Sequence, residues 1–217
     1  MALYALLACL GYLIGSIQFG LIIGRLARGV DIRDFGSGNT GFTNSLRTLG
    51  PGWSAAVLVG DFLKGASPVL FAGLMHRQFG GSLPPLQVVA ATAAVLGHIW
   101  PLYAQFRGGK GVATAFGATV VMMPLIGLFL LLVAGSLIYV YRYMSLGSLV
   151  AAPSATTFVW VLVISGRLPV AYGVWGIIIT AIILFSHREN LQRLRRGTER
   201  KIGEGGPRRA SPGSASL

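Results

Sequence analysis

The sequence predicts an all-α, polytopic membrane protein of seven transmembrane helices, with its N-terminus outside and its C-terminus inside. Three observations predict this. Hydrophobic residues make up 53% of the 217 and charged residues only 11%, whereas a soluble domain carries about 25% charged residues. Mean hydropathy is +0.69, so the chain cannot cover a water-facing surface. The apolar residues fall in runs of membrane-crossing length, divided by short segments in which Arg, Lys, Gly and Asn collect. A secreted disulfide scaffold is excluded, because Cys9 is the single cysteine and lies in an apolar run.

The first span, Leu3–Gly24, has no basic residue before it; Arg25 and Arg28 follow it instead. A cleaved signal peptide has the opposite order, so this span is expected to be retained with its N-terminus outside. Trp53–Met75 and Leu86–Phe106 come next. Gly111–Met123 is shorter than the roughly 17 residues a crossing helix needs, and merging it through Pro124 with Leu125–Tyr141 would leave six spans. Loop charge decides between the two counts. With seven spans, only Arg77 and Arg167 lie outside, and Arg25, Arg28, Arg33, Arg47, Arg107, Lys110, Arg142 and the basic tail all lie inside. With six, the tail would lie outside, against the positive-inside bias. Gly117, Pro124 and Gly127 are suited to the required break. Leu146–Ser165 and Pro169–Ser186 complete the set. From Gly203 the chain is rich in Gly, Pro and Ser and is expected to be disordered. Residues 1–202 therefore read as one membrane domain and 203–217 as a cytoplasmic tail.

Lys and Arg number 18 against 6 Asp and Glu, a formal charge of +12. In a membrane protein this excess marks inner loops and attracts them to anionic lipid. Nucleic acid is not an expected partner, because the aromatics sit inside apolar runs and not on a basic face.

Under this topology the unusual polar segments share the cytoplasmic side. The first is Gly36-Ser37-Gly38-Asn39-Thr40-Gly41-Phe42-Thr43-Asn44-Ser45-Leu46-Arg47. It matches G-x-G-x-x-G, but the dinucleotide fingerprint requires a βαβ unit that a helical membrane chain does not offer. Its glycines let backbone N–H groups approach an anion, and Ser37, Asn39, Thr43 and Asn44 supply neutral hydrogen bonds. Arg47 shares a face with Asn44 if a helix starts there. A flexible polar connector is the competing reading.

The second segment is Gly97-His98, followed by Phe106-Arg107-Gly108-Gly109-Lys110-Gly111-Val112-Ala113-Thr114. The phosphate-loop pattern G-x-x-x-x-G-K-[ST] fails here, at Ala104 and at Gly111, so nucleotide hydrolysis is not supported. A Gly-Gly-Lys-Gly turn feeding a helix N-terminus is still a generic anion cradle. The third segment, His187-Arg188-Glu189-Asn190, closes the last span. Asp61 and Lys64 lie three apart inside the second span and read as a structural ion pair. No carboxylate pair is placed for acid–base work, no residue set has metal-ligand spacing, and no nucleophile elbow occurs. No metal or cofactor is expected.

Cations and N–H-rich turns gathered at a lipid interface suit an amphiphilic substrate with a phosphate head and an acyl tail. On the residues alone, a lipid-phosphate enzyme and a transporter or channel for a phosphorylated solute both remain open. A transporter would be expected to show internal symmetry, and the sequence shows none. A lipid phosphatase or CDP-alcohol phosphotransferase would need a histidine nucleophile set or clustered aspartates. The three histidines and Asp31, Asp34 and Asp61 do not supply either.

Gly36-Ser37-Gly38-Asn39-x-Gly41-x-Thr43-Asn44-x-x-Arg47 resembles the first signature of the bacterial acyl-phosphate:glycerol-3-phosphate acyltransferases, the integral-membrane PlsY family. Asp61-x-x-Lys64-Gly65 is similar to a segment found there. Gly97-His98-x-x-Pro101 and Phe106-x-Gly108-Gly109-Lys110-Gly111-Val112-Ala113-Thr114 resemble the second signature. Ser145-x-x-Ser148, His187-Arg188-x-Asn190 and Gly197-Thr198-Glu199 resemble the third region and the tail. The resemblance runs from about Gly15 to Gly203. It departs at Phe42, where the family usually has alanine, and at Arg107, where it usually has lysine.

The resemblance implies transfer of a fatty acyl group from acyl phosphate to the 1-hydroxyl of sn-glycerol 3-phosphate, giving lysophosphatidic acid and phosphate. It also implies a multi-pass enzyme of the bacterial inner membrane with its site facing the cytoplasm. Acyl phosphate is a mixed anhydride with a good leaving group, so no acyl-enzyme is required. Arg47, Lys110 and His187 are the candidates to neutralise two phosphates, with Gly108, Gly109 and Gly111 assisting. Ser37, Gly38, Asn39, Gly41, Thr43 and Asn44 are assigned to hydrogen-bonding the phosphates or the developing oxyanion, and Asn190 and His187 to positioning glycerol 3-phosphate. A donor phosphate oxygen is the expected base, with His98 or His187 as rivals. A monomer is expected.

Overall fold

The computed structural model describes residues 1–204; apart from its first two residues, the expected tail 203–217 lies outside the described residues. Among those described, every regular element is helical: α1 (Ala2–Gly15), α2 (Phe19–Arg28), α3 (Phe42–Leu49), α4 (Pro51–Phe79), α5 (Leu83–Ile99), α6 (Val112–Met122), α7 (Pro124–Tyr141), α8 (Met144–Ile164), α9 (Val170–Ser186) and α10 (Arg188–Arg195). Five helical stretches are long and apolar enough to cross a bilayer, and a sixth is reached if α9 and α10, bent by 59° to each other, are taken together.

Three expected spans differ from what is observed. The first still forms one stretch of crossing length, Ala2–Arg28, but its helix is interrupted at Ser16–Gln18 between α1 and α2. The break exposes the Ile17 carbonyl, and Lys64 Nζ of α4 donates to it at 2.5 Å. The third forms a crossing stretch Leu83–Ala104, within which the α-helix ends at Ile99 and a 3-10 turn at Leu102–Ala104 follows, short of the expected Phe106. The fourth, α6, has 11 residues and rises about 16 Å, half a bilayer. It does not merge with α7: Met123 breaks the helix at φ −145° and ψ 77°, and Pro124 starts the next one.

Small residues let the helices approach closely. A Cβ on Gly15 would lie 2.1 Å from the Ala94 carbonyl oxygen, which fixes α1 against α5. Gly65 and Gly117 do the same between α4 and α6. The largest apolar core joins α4, α5, α6, α7, α8 and α9 around Trp175, which is 1% exposed. These contacts bring the loops 29–41 and 100–111, the α7–α8 turn and residues 187–204 to one end of the bundle. Tyr12 Oη donating to the Trp100 carbonyl (2.8 Å) and Arg142 Nη2 donating to the Ile202 carbonyl (2.8 Å) are two of the ties at that end.

Candidate active site

The loop Gly36–Gly41 turns twice through the left-handed region, at Gly36 (φ 56°) and Gly38 (φ 71°). Asn44, on the first turn of α3, fixes it. Its Oδ1 accepts from Ser37 N (2.9 Å), and its Nδ2 donates to Ile32 O (2.7 Å) and Asn39 O (2.9 Å). Both amide hydrogens of Asn44 are thus engaged inside the loop, so the residue acts as a brace. Asn39 Nδ2 donates to Ser37 Oγ at 3.2 Å. Thr40 Oγ1 donates to Gln18 Oε1 at 2.5 Å, and Gln18 Nε2 donates to the His98 carbonyl at 3.4 Å. The break between α1 and α2 therefore ties the first polar loop to the end of α5.

The second loop is folded against the end of α5. Gly108 N donates to Ile99 O and Gly109 N to His98 O, both at 3.2 Å. These two N–H groups are consumed inside the protein and do not cradle an anion as the sequence suggests. The requirement for glycine is close approach: a Cβ on Gly109 would sit 2.2 Å from His98 Nε2, and one on Gly108 2.0 Å from His98 O. His98 is 3% exposed, and its Nδ1 lies 3.6 Å from Asp61 Oδ1, which Lys64 Nζ approaches at 2.9 Å. The expected ion pair is present and forms a buried triad with His98 beneath the loop. Gly111 (φ 79°) caps α6, whose first-turn N–H groups have no partner within the helix.

The third segment closes the site from the opposite side. The His187 ring is 3% exposed, and its Nδ1 lies 2.9 Å from Ile183 O. A carbonyl only accepts, so Nδ1 carries the hydrogen and Nε2 offers a lone pair. Burial, and then the Lys110 charge, push His187 down to about 3. It is therefore neutral near pH 7, not the cation the sequence proposes. Lys110 Nζ donates to Asn190 Oδ1. Burial lowers Lys110 to about 8, against the opposing pull of Glu199.

Glu199, absent from the predicted set, joins three elements. It accepts from Ser145 Oγ (2.7 Å), Asn190 Nδ2 (2.5 Å) and Arg193 Nε (2.7 Å). Burial alone would raise its carboxyl, but these hydrogen bonds, led by Arg193, hold it below the usual range. Arg47 Nη2 donates to the Arg200 carbonyl at 3.3 Å, so the segment after α10 closes over α3. In the sequence Glu199 stands in the Gly197-Thr198-Glu199 segment that carries part of the resemblance, but nothing there marks it as a site residue.

All of this surrounds one cavity of about 550 Å³, within the usual range for small-molecule sites. Ser37, Asn39, Gly41, Thr43, Asn44 and Arg47 line it from the first segment, His98, Lys110 and Gly111 from the second, and His187 and Asn190 from the third. Of the predicted residues, Gly38, Gly108 and Gly109 are not on its wall. Arg47, Lys110, Arg193 and Arg200 line its polar mouth together with Glu189 and Glu199, both of which Arg193 pairs with, leaving an excess of positive charge suited to anions. From there the cavity runs down between α6, α7, α8 and α9 along apolar side chains to Met123, Ile126, Val159 and Trp175. Sequence reasoning did not single out these residues, because their periodicity is that of any membrane helix.

A profile of the glycerol-3-phosphate acyltransferase family matches residues 5–197. The chain is 41% identical to a glycerol-3-phosphate acyltransferase of Rubrobacter xylanophilus over 201 residues, 93% of this chain and 96% of that one. It is 40% identical to the enzyme of that name from Clostridioides difficile, again over 93% and 96% of the two chains. It also superposes on the crystal structure of PlsY, an integral membrane glycerol 3-phosphate acyltransferase, in its glycerol 3-phosphate form. The TM-score is 0.82 at 41% identity, over 92% of this chain and 96% of that one. The lysophosphatidic acid form of PlsY gives a TM-score of 0.78 at 40% identity, over 92% and 95%.

Proposed function

Because the chain belongs to the glycerol-3-phosphate acyltransferase family, we propose that its cavity holds a fatty acyl phosphate and sn-glycerol 3-phosphate together and transfers the acyl group to the 1-hydroxyl. The protein is an integral membrane enzyme that acylates glycerol 3-phosphate. The observation that carries the donor assignment is the cavity's two-part lining: Arg47, Lys110, Arg193 and Arg200 at one end, and Met123, Ile126, Val159 and Trp175 at the other. An acyl phosphate has that shape, and its tail can enter from the leaflet.

In this reading the acyl chain lies in the apolar limb, with its mixed anhydride at the mouth. Lys110 and Arg47 bind phosphate oxygens by charge-assisted hydrogen bonds. Ser37, Asn39 and Thr43 supply neutral donors, and the free N–H groups at the start of α6 face the developing oxyanion. Neutral His187 accepts the glycerol hydroxyl at Nε2 and orients it, beside Asn190. The hydroxyl oxygen attacks the acyl carbonyl, a new C–O bond forms, and the carbonyl–phosphate C–O bond breaks. The departing phosphate, whose second pKa is about 6, carries away the hydroxyl proton. Asn44, His98, Gly108 and Gly109 hold the loops in place. Catalysis then rests on orientation and electrostatic preorganisation.

We take residues 1–202 as the enzyme unit, and one copy of it as sufficient for activity. We place it in the bacterial inner membrane with seven passes, α6 counted as one, N-terminus outside and site towards the cytoplasm; the loop charges support that orientation. Purified enzyme in liposomes should convert palmitoyl phosphate and glycerol 3-phosphate to lysophosphatidic acid without added metal or CoA, and should not use palmitoyl-CoA. Equal turnover with the CoA ester would overturn the donor assignment.

A further inference from the structure

The apolar limb is closed at its far end, and three helices, α6 counted with its caps, give similar depths. From His187 to Trp175 along α9, and from Gly111 to Met123 along α6, the rise is about 18 Å; from Ser145 to Val159 along α8 it is about 21 Å. Trp175, Met123, Ile126 and Val159 are 1%, 4%, 2% and 2% exposed. The Trp175 indole is fixed, with Nε1 donating to Thr119 Oγ1 at 3.2 Å and that hydroxyl donating on to Ala115 O at 2.8 Å. Partway along, Leu131 of α7 both lines the cavity and is 58% exposed on the outer face of the bundle. A chain can therefore enter from the leaflet, but it cannot pass the end.

We propose that Trp175, backed by Met123, Ile126 and Val159, is the end stop that limits the length of the acyl chain this enzyme transfers. The inference rests on the donor reading above. A C–C bond of about 1.5 Å projected at the tetrahedral angle advances about 1.25 Å per carbon, so 18–21 Å accommodates about 14 to 17 carbons. The limit acts as a cut-off and not as a slope. A donor leaving a bilayer gains little per methylene, because lipid is as apolar as the cavity. One methylene too many must instead be forced into a packed core, which lowers kcat/KM by roughly 5- to 150-fold.

The test is competition between acyl phosphates of 10 to 20 carbons at equal mole fraction in liposomes, with the lysophosphatidic acids weighed by mass spectrometry. Wild type should show a nearly flat profile that falls sharply beyond about 17 carbons. Trp175→Leu should move the fall to longer chains. Ala155→Leu, placed about 15 Å from Ser145 along α8, should move it down to about 12 carbons while leaving 10-carbon donors active. Retained short-chain turnover shows that the transferase reading holds, so a cut-off unmoved in both variants overturns the end stop alone. If Trp175→Leu loses all activity, Ala155→Leu decides. Loss with every donor in both variants overturns the proposal, because these side chains would then be needed for more than chain length.

Discussion

Lys110 offers a prediction in which activity and stability move in opposite directions with pH. Its ammonium hydrogen-bonds Asn190 at the cavity mouth, and burial lowers it from 10.5 to about 8. Phosphate binding needs the charged form, so kcat/KM, which reports the free enzyme, should fall as pH rises through about 8. One unit above that value about a tenth of the lysine remains charged, and the rate falls about tenfold per unit. Stability has the other sign. Between about 8 and 10.5 the unfolded chain holds the proton and the folded one does not, so folded enzyme gains stability with rising pH. Unfolding therefore does not account for the alkaline loss. Lys110→Arg keeps its charge across the range and should abolish the limb near 8. Lys110→Ala removes a charge-assisted bond worth about 1.5–3 kcal/mol, roughly 10- to 150-fold in kcat/KM. The assay is initial-rate kinetics in liposomes from pH 6.5 to about 10, with thermal unfolding followed by circular dichroism over the same range. The same alkaline limb in wild type and Lys110→Arg would refute the assignment of Lys110 as the phosphate cation.

Glu199 raises Lys110 through its charge and holds Ser145, Asn190 and Arg193 together. Glu199→Gln should therefore shift the alkaline limb to lower pH as well as slow turnover; an unshifted limb with slower turnover would reduce Glu199 to a structural tie. Gly109→Ala places a methyl 2.2 Å from His98 Nε2, displacing the loop that carries Lys110. A displacement near 1 Å costs about 100-fold in rate. Gly52→Ala, where a Cβ meets nothing within 4 Å, is the control expected to keep wild-type kinetics, and equal rates for the two variants would show that the loop tolerates movement.

What was legible in the sequence was local. Hydropathy locates the apolar runs, and Pro124 beside Gly127 marks a break that the structure places at Met123. Clusters of Gly, Asn and Arg mark two polar loops, and most of their side chains do reach one cavity. The remainder depends on partners far apart in the chain. The break at Ser16–Gln18 carries no Pro or Gly of its own; Lys64, His98 and Thr40 make it affordable by accepting or donating at its free polar groups. Gly108 and Gly109 read as anion donors because their N–H groups look free, and only the folded end of α5 shows that Ile99 and His98 take them. His187 reads as a cation until its burial is known. Glu199 is quoted in the sequence only within a resembling segment and without a role, since its partner Ser145 lies 54 residues away.

The shortness of α6 links these features. At about 16 Å this helix covers half a bilayer, and its two ends have different jobs. Its N-terminus, capped by Gly111, brings unpaired N–H groups to the charged mouth beside Lys110. Its C-terminus turns among apolar helices, where irregular backbone survives only if buried in protein and hydrogen-bonded. Met123 N donates to Thr119 O at 2.7 Å, and Gly127 N to Met123 O at 3.0 Å, so the turn is satisfied. Thr119 also takes the Trp175 indole on its side chain. One residue thereby holds both the turn and the floor. A full-length helix here would move that turn away from Trp175 and lengthen the limb. The eleven residues of α6 therefore set, in one element, the separation between the charged mouth and the closed end of the cavity.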